Sequence, residues 1–412
     1  KHHHILFFLA LFFGAVTITT QAAIDNRYLP LFNFDFQHKV DRRSVLNSNV
    51  FITFGHEGYV DMKGSVPLPE LFGKYDMSQC AQALVAVGKP NPLPTSWWAY
   101  DNLIWDMKGK FQSEGIWLAL EQYFGKNLSV GFKIPFMHID SQLEFLQTAE
   151  LRKVLGLGLD GSANLYNVLN QVNSGLGFSS YQWRGTDFGD LDLYLRWGTV
   201  QDYILKCKHV DVSLKVGAFI PMGDQVVLDN PSAITYGYYN HFGLYFEGDF
   251  NFEVKDDWKV GCWLNGTQRF AKTQLRRIPV SKELPQWGAL VADVFVDPGI
   301  TIGFAPYVWL EDIRQGFGVR ASFRFIWHMH DYWGNPQIDG NIVAANLTQI
   351  INKSSWSTEY FTASLVYDLQ QNVSYERNAP YLYLDCDIPI GIFNADLASK
   401  AYRLTFGFEF NF

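Results

Sequence analysis

The sequence predicts an all-β fold, a transmembrane antiparallel up-and-down β-barrel of about twelve strands. Three observations lead to it: long segments alternate strictly between apolar and polar residues, aromatic residues make up 17% of the 412 residues, and charged residues only 18%. A soluble domain carries roughly 25% charged residues, so much of this surface is not built for water. No internal run reaches the ~18 apolar residues of a membrane helix, and a closed barrel is the other structure that can cross a bilayer.

The first 23 residues have the pattern of a signal peptide. Lys1 and three histidines form a polar start, residues 5–16 form an apolar core, and residues 20–23 supply small residues suited to cleavage. This apolar run is too short to span a membrane as a helix. Residues 1–23 are therefore left out of the predicted barrel.

The clearest pair of strands lies in the middle of the chain. Residues 242–254 read FGLYFEGDFNFEV, and residues 258–270, after a tight turn, read WKVGCWLNGTQRF. Successive side chains of a strand point to opposite faces, so both segments have one apolar and one polar face. Two such strands joined by a short turn form a β-hairpin with a shared apolar face. The same alternation recurs at residues 190–197, 210–218, 317–328 and 402–412.

Connections of alternating length set the number of strands. Strands are predicted at residues 46–59, 110–123, 128–140, 185–197, 208–220, 241–254, 257–271, 300–310, 317–330, 356–369, 380–390 and 400–412. Connections 125–127, 255–257 and 310–316 are short, whereas 61–108, 141–184, 221–240, 272–299 and 331–355 are long. Both ends of such a barrel lie on the short-turn rim, so the strand count is even. Residues 289–296 would make a thirteenth strand and are assigned to a long loop.

Twelve strands is the prediction, and fourteen is the alternative if two short strands lie in residues 61–108 or 272–299. Two helices are expected in the loops, at residues 77–87 and 143–155, because apolar residues recur there with helical spacing. Glycines at 156, 158 and 161 end the second of them.

The last strand carries a family resemblance. Apolar side chains occupy every second position up to the final residue: Leu404, Phe406, Phe408, Phe410 and Phe412. This pattern resembles the C-terminal strand of Gram-negative outer-membrane β-barrels of the porin class. The resemblance implies location in the bacterial outer membrane, short periplasmic turns, long extracellular loops, and recognition of these five residues by the barrel-assembly machinery. Residues 24–45 are then either a periplasmic tail or a plug inside the barrel, and residues 46–412 form the barrel.

The same resemblance implies a porin-like channel for the passive diffusion of small hydrophilic solutes. Polar faces that line the interior carry the acidic residues Asp190, Asp192, Glu247, Asp249 and Glu253 and the basic residues Arg320, Arg324 and Arg403. In a ring of twelve, the sixth and twelfth strands are opposite, so acidic and basic sectors are expected to face each other across the bore. Two alternatives stay open: the charges pair and plug the barrel, or a non-conducting barrel uses its long loops for adhesion or surface display.

Other classes of function have little support in the sequence. A net charge of -8 argues against nucleic acid as a partner. His328 and His330 share a predicted strand face beside Asp331, but neither further metal ligands nor a nucleophile can be identified next to them. We therefore predict no metal, cofactor or enzymatic activity. The expected partners are outer-membrane lipid, the assembly machinery and small hydrophilic solutes, with the chain acting either as a monomer or as a homotrimer.

Aromatic residues are also expected at the membrane surfaces. Amphipathic rings favour the level of the lipid headgroups. Candidates for these belts stand where predicted strands meet loops: Trp327, Tyr332, Trp333, Tyr381 and Tyr383. The four cysteines are far apart and suggest no disulfide framework, and Cys262 and Cys386 occupy apolar faces of their strands.

Overall fold

A computed structural model describes residues 26–30, 44–61, 64–156, 162–202, 207–223, 227–369 and 380–411. The predicted signal peptide, much of residues 24–45, and Phe412 lie outside these residues. Twelve strands form the barrel wall: β1 (Ser44–Gly55), β2 (Ile104–Phe124), β3 (Leu128–Gln147), β4 (Leu191–Asp202), β5 (His209–Ile220), β6 (Gly243–Lys255), β7 (Trp258–Arg269), β8 (Thr301–Arg314), β9 (Phe317–His328), β10 (Trp356–Asp368), β11 (Tyr381–Ile390) and β12 (Tyr402–Asn411). The all-β fold class and the count of twelve strands are confirmed.

The wall closes because its first and last strands pair. Each strand is antiparallel to its neighbours along the chain, and β12 pairs with β1 from Asn411 opposite Val45 to Tyr402 opposite Phe54. Closure leaves no free sheet edge, so every backbone polar group in the wall can find a partner within the sheet.

The apolar faces predicted for the strands point outward. Leu404 and Phe406 of β12 are 45% and 51% exposed, and Val50 and Leu118 on neighbouring strands are similarly exposed. Such a band of exposed apolar side chains is what a lipid-facing wall requires. Cys262 and Cys386 also lie on this outward face, and all four cysteines are free.

The two rims of the barrel differ in their loops. Residues 125–127, 256–257 and 315–316 make tight turns, and the last of these has positive φ at both Gln315 and Gly316, as a two-residue hairpin turn requires. On the other rim the connections are long, at residues 56–103, 148–190, 221–242, 270–300, 329–355 and 391–401. The start of β1 and the end of β12 lie on the short-turn rim, as predicted.

The long loops contain secondary structure of their own and together form a cap over one end of the barrel. Its helices are α1 (Met77–Ala86), α2 (Ala149–Val154), α3 (Ser162–Leu176) and α4 (Leu347–Asn352). One small sheet contains Glu57–Val60, Gly64–Pro67 and Ala398–Ser399, and a second contains Lys272–Ile278, Leu290–Asp297, Tyr332–Trp333, Gln337–Ile338 and Asn341–Ile342. Two further strands, Tyr75–Asp76 and Gln182–Phe188, pair with the upper parts of β2 and β3. Among the described residues, no helix has the length and apolar character needed to cross a membrane.

Three local predictions can be compared with these elements. The helix at 77–87 is confirmed by α1, but the helix at 143–155 is largely wrong, because residues 143–147 continue β3 and only 149–154 are helical. The strand predicted at 185–197 is interrupted at Gly189 and Asp190. Residues 290–297 do form a strand, but it belongs to the cap sheet, so leaving it out of the barrel was correct.

The hairpin of β2 and β3 joins the barrel to the cap. These strands have 21 and 20 residues, whereas the other wall strands have 10 to 14. On β2 the outward face changes from apolar at Leu118 and Ile116 to polar at Glu114 and Gln112. On the inward face the upper part becomes apolar and is buried against α1 and α3, with Trp105 at 0% exposure. Polarity therefore inverts along a single strand where the wall leaves the lipid.

Candidate functional site: the lumen and the cap cavity

The interior of the barrel carries all eight charged residues predicted to line it. Each lies on the inward face of its strand or, for Asp190, just before β4. Most are buried; Lys215, which sequence reasoning did not select, is 2% exposed, and Arg324 is 3% exposed. Side chains that line a wide water-filled bore would be accessible, so this burial means that the interior is filled by side chains at these levels.

On one side of the lumen, the acidic residues are matched by nearby donors. Lys215 Nζ lies 2.7 Å from a carboxylate oxygen of Glu247 on the neighbouring strand. The hydroxyl of Tyr245 donates to Asp192 at 2.7 Å, and that of Tyr307 donates to Asp249 at 2.7 Å. Further along the same side, Arg196 pairs with Glu121 at 3.2 Å, and Lys259 pairs with Glu311.

On the other side, the predicted basic residues meet carboxylates of β11. Arg403 binds Asp387 at 2.6 Å, and Arg324 lies 3.7 Å from the same residue. Thr362 donates a hydroxyl to Asp387 at 2.5 Å. Arg320 stands 3.9 Å from Asp385, the longest of these contacts.

The expected separation into acidic and basic sectors is wrong. Each side of the lumen contains both signs of charge, because anions and cations alternate between adjacent strands at the same level. Further charged residues on the same polar faces were not among the eight predicted to line the pore: Glu121, Lys133, Arg196, Lys215, Lys259, Asp385 and Asp387. The alternation of each strand already indicates that they face the interior.

The assignment of Tyr381 and Tyr383 to an aromatic belt is also wrong. Both side chains point inward, and the hydroxyl of Tyr383 exchanges hydrogen bonds with Asn47 and Asn49 at 2.9 and 3.0 Å. Trp327 and Tyr332 do lie exposed near the long-loop rim, while Trp333 is half-buried in the cap. Outward-facing ring pairs near that rim include Phe54 with Tyr402, Phe242 with Phe270, and Phe136 with Phe188.

A buried ion pair joins the upper end of the wall to the cap. Asp190 and Arg269 are both almost completely buried, and their charged groups are 2.7 Å apart. Arg269 also donates to the backbone oxygen of His241 at 2.9 Å and lies over the rings of Phe219 and Tyr238. The loop that contains His241 is thereby held over the mouth of the lumen.

Residues 26–30 lie at this same upper end. Arg27 donates to the backbone oxygens of Lys353 and Ser354 at 3.0 and 2.5 Å. Leu29 packs in a cluster with Phe51 and Phe111, whose side chains point into the barrel. These contacts place this short stretch between the wall and the cap, at the end opposite the periplasmic rim, and the role of the rest of residues 24–45 stays a prediction.

A cavity of about 380 Å³ lies inside the cap, above the lumen. Trp356 at the start of β10 and Thr186 beside β3 belong to its lining, so the cavity reaches the upper end of the wall. Nine aromatic residues line it: Tyr28, Phe72, Phe178, Trp183, Tyr236, Tyr238, Tyr239, Trp333 and Trp356. The charged residues of the lining are Arg27, Arg184, Arg276, Arg277, Lys353 and Asp331. No pattern in the sequence indicates this site, because its residues come from many separate stretches between Asn26 and Trp356.

Two adjacent arginines of the cavity have different surroundings. Arg277 donates to the backbone oxygens of Leu176, Leu228 and Gly288, which ties three loops together. Arg276 lies 4.1 Å over the ring of Tyr239, and the carboxamide oxygen of Gln274 accepts from its Nη2 at 2.8 Å. Burial lowers the pKa of each guanidinium to about 10, so both stay protonated at neutral pH.

His328, which the sequence suggested as a site residue, is held in a buried hydrogen-bond network. His328 is fully buried; its Nδ1 lies 2.8 Å from Thr301 Oγ1 and its Nε2 lies 2.9 Å from Asp331. Burial acts to raise the pKa of Asp331, but hydrogen bonds from His328, Gly299 and Tyr238 lower it overall. Thr301 is 1% exposed and does not line the cavity, so this Thr-His-Asp arrangement has no accessible nucleophile.

The pairing of His328 with His330 on one strand face does not occur. β9 ends at His328, and His330 is exposed beyond it, 3.2 Å from Ser355 Oγ. In the part of the chain that the structure describes, no group of three or more His, Cys, Asp or Glu side chains is arranged to hold a metal ion.

No protein-family model and no curated protein sequence matches this chain. Among solved structures, an outer-membrane channel from Pseudomonas putida F1 is similar with a TM-score of 0.50 and 10% identity, over 93% of this chain and 100% of that one. The transport unit of an autotransporter from Escherichia coli has a TM-score of 0.40 and 9% identity, over 94% and 95% of the two chains. A FadL homologue from Pseudomonas aeruginosa has a TM-score of 0.32 and 8% identity, over 95% and 97%.

At these identities the likeness concerns the fold. A closed twelve-stranded antiparallel barrel with an apolar outer band, tight turns on one rim and long loops on the other is the architecture of Gram-negative outer-membrane proteins. The chain is a β-barrel of the bacterial outer membrane.

Proposed function

We propose that this barrel is an outer-membrane channel through which small polar or amphipathic organic solutes diffuse passively. The observation that carries the proposal is the cavity of about 380 Å³ in the cap, whose lining reaches the upper end of the wall at Trp356 and Thr186. A solute held there stands at the mouth of the lumen. Cavities of roughly 300–1,000 Å³ with apolar walls and a few polar groups are typical small-molecule sites.

The lumen below the cavity offers a polar but narrow path. Its charges are paired across adjacent strands, so a passing solute exchanges hydrogen bonds with these groups rather than entering bulk water. The charged groups of Arg320 and Asp385 are 3.9 Å apart, which is too long for a direct hydrogen bond. We therefore expect small, slow flux rather than the large conductance of an open pore.

A second function is favoured by a different observation. The cap has a hydrophobic core of its own, which includes Trp105, Leu84 and Trp287, and most of the lumen charges are buried. A closed barrel that presents a rigid cap is suited to adhesion or surface display. The two functions differ in whether solutes cross the membrane.

Flux through the reconstituted protein separates these functions. The purified full chain is inserted into planar bilayers and into liposomes, and single-channel conductance and swelling in small solutes are measured. Replacing both partners of one lumen pair, with Lys215→Ala and Glu247→Ala together, keeps the net charge and should raise the flux, because it removes side chains that fill the interior. The lipid-facing change Leu244→Ala is the control and should leave flux unchanged.

Two outcomes of these flux measurements would contradict the channel function. If neither the wild type nor the double variant carries solute above protein-free bilayers, passive diffusion is excluded and the display function is favoured. Flux that responds equally to both variants would show that it arises from leaks around the wall.

We also propose that β12 is the segment by which the assembly machinery recognises the chain. Leu404, Phe406 and Phe408 form an exposed apolar row on the strand that closes the barrel. Replacing Phe408 and Phe410 with serine should lower the fraction of chain recovered in the outer membrane. Replacing the inward-facing Thr405 with serine should not, and equal losses would contradict the assignment.

A further inference from the structure

The cap cavity has a surplus of positive charge. Of the described residues that line it, five are cationic and only Asp331 is anionic. Asp331 is already bound, because His328, Tyr238 and the backbone N–H of Gly299 lie within 3.0 Å of it. One of the five cations, Arg184, is exposed and pairs with Asp140 outside the cavity.

For the other four cations, no ion pair with a carboxylate occurs among the described residues. Arg27 and Arg277 use their N–H groups to hold backbone oxygens, and Lys353 does the same with Phe72. A buried cation is costly unless an opposite charge or hydrogen bonds compensate it. The arrangement of charges in this cavity therefore favours an anionic ligand.

Arg276 is the cation best placed to meet that ligand. Its backbone-binding neighbour Arg277 is committed to three loops, whereas among the described side chains Arg276 is held by the ring of Tyr239 and by Gln274. Gln274 accepts from Nε at 3.2 Å as well as from Nη2, so the edge formed by the two Nη groups is the one on which a carboxylate can accept two parallel N–H···O bonds. Burial strengthens such bonds, and the side chain of Arg276 is 6% exposed.

The remaining walls of the cavity are suited to an aromatic ring. Trp183 and Tyr236 are 5.5 Å apart at a tilted angle, and Trp333 and Trp356 belong to the same lining. Aromatic rings bind one another through offset or edge-to-face contacts at such separations. A volume of about 380 Å³ accommodates an acid with one or two rings.

We infer that the cap cavity binds small aromatic carboxylates, with Arg276 as the residue that receives the carboxylate and the aromatic lining as the site of the ring. The inference rests on the proposed channel function, for which it names the class of solute. It refines the expected hydrophilic solutes to amphipathic acids.

Binding of benzoate to the full chain in detergent micelles tests the inference. We expect saturable binding by isothermal titration, at least tenfold tighter than that of benzyl alcohol, which has the same ring and no charge. Arg276→Gln should weaken benzoate binding at least tenfold, or about 1.4 kcal/mol, and leave benzyl alcohol unchanged. Arg276→Lys keeps the charge, so it should weaken benzoate binding less than Arg276→Gln does. Lys208→Gln, on the periplasmic rim, is the matched control and should bind like the wild type.

Three results would overturn the inference: no saturable binding of benzoate, equal affinity for benzoate and benzyl alcohol, or an unchanged benzoate affinity in Arg276→Gln. The comparison of the two ligands uses the wild type alone, so it remains decisive if Arg276→Gln fails to fold. Because binding is measured without a bilayer, a barrel that binds benzoate but carries no flux overturns the channel and keeps this inference. A barrel that conducts solutes but does not bind benzoate overturns this inference and keeps the channel function.

Discussion

The barrel wall has apolar side chains outside and polar side chains inside, whereas the cap has the opposite arrangement, although the strand β2 contributes to both. Along the lower part of β2, apolar Leu118 faces out and Glu121 faces in; along its upper part, Gln112 faces out and Trp105 faces in. Lipid surrounds the lower part and water the upper part, so the same alternation is used with its polarity reversed. The comparison teaches that the period of a pattern defines the strand, while the solvent decides which face is buried.

The largest expected effect is the loss of a carboxylate from the lumen. Asp387 contacts both Arg403 and Arg324, so Asp387→Asn removes a buried carboxylate that two buried cations share. Breaking a buried pair in this way costs about 3–5 kcal/mol. The loss of stability is measured by urea unfolding in detergent, with the heat-dependent shift in gel mobility as the readout of the folded barrel.

The matched control is the exposed pair of Asp256 and Lys208 on the periplasmic rim. Asp256→Asn should leave the unfolding midpoint unchanged, because exposed pairs are screened by water and salt. Equal effects of the two substitutions would show that the lumen is hydrated, contrary to the burial of its charges.

A comparable effect confined to the cap is expected from Trp105→Ala. This side chain is fully buried against Phe145 and Tyr166, and removing a buried tryptophan costs about 3–5 kcal/mol. Limited proteolysis should show cleavage in the cap while the barrel keeps its gel mobility. Trp98→Ala, in the connection that precedes β2 and exposed, should leave the cap protected. Loss of the barrel in Trp105→Ala would mean that wall and cap fold as one unit.

A smaller effect tests the inversion of polarity directly. Leu118→Lys puts a charge on the lipid face of β2 and should cost about 2 kcal/mol or more, seen as lower recovery in folding assays with lipid vesicles. Gln112→Lys, on the same face of the same strand, should be neutral because that level faces water. Equal tolerance of both lysines would place Leu118 outside the membrane.

The last expected effect, which is graded rather than all-or-none, is a dependence of cap stability on pH. Burial, together with Arg276 and Arg269, lowers the pKa of His241 to about 4, from an ordinary value near 6.5. Below pH 6.5 the unfolded chain takes up a proton that the folded cap does not, so stability falls between pH 6.5 and 4, by at most about 3 kcal/mol.

Proteolysis of the cap at pH 7, 5.5 and 4 measures this loss. His241→Asn should flatten the profile, whereas the exposed His56→Asn should not. An unchanged profile in His241→Asn would assign the acid sensitivity to another group.

Several features were within reach of the sequence because they depend on local patterns. Alternation identified all twelve wall strands to within a few residues in most cases, and the lengths of the connections placed residues 290–297 outside the ring. The helix at 77–86 followed from its helical spacing. The inward orientation of Asp192, Glu247 and Arg320 followed from position along each strand.

The errors arose where more than one strand or loop takes part. Tyr383 was expected in an outer belt because a tyrosine near a strand end suits either face, and only its position opposite Asn49 across β12 shows that it points inward. Residues 143–147 have helical spacing but continue β3, because pairing with β2 outweighs local propensity.

By itself the sequence determined the closed barrel, the lipid-facing character of its outer surface and the polar character of its interior. Each of these depends on period-two alternation and on loop length. Only the tertiary structure decided which charges pair in the lumen, where the wall emerges from the lipid, and that Arg276, Tyr239 and Trp333 meet around one cavity. The physical reason is that alternation is a property of neighbouring residues. The shear between strands and the packing of long loops join residues that are far apart in the chain, and no local pattern records those contacts.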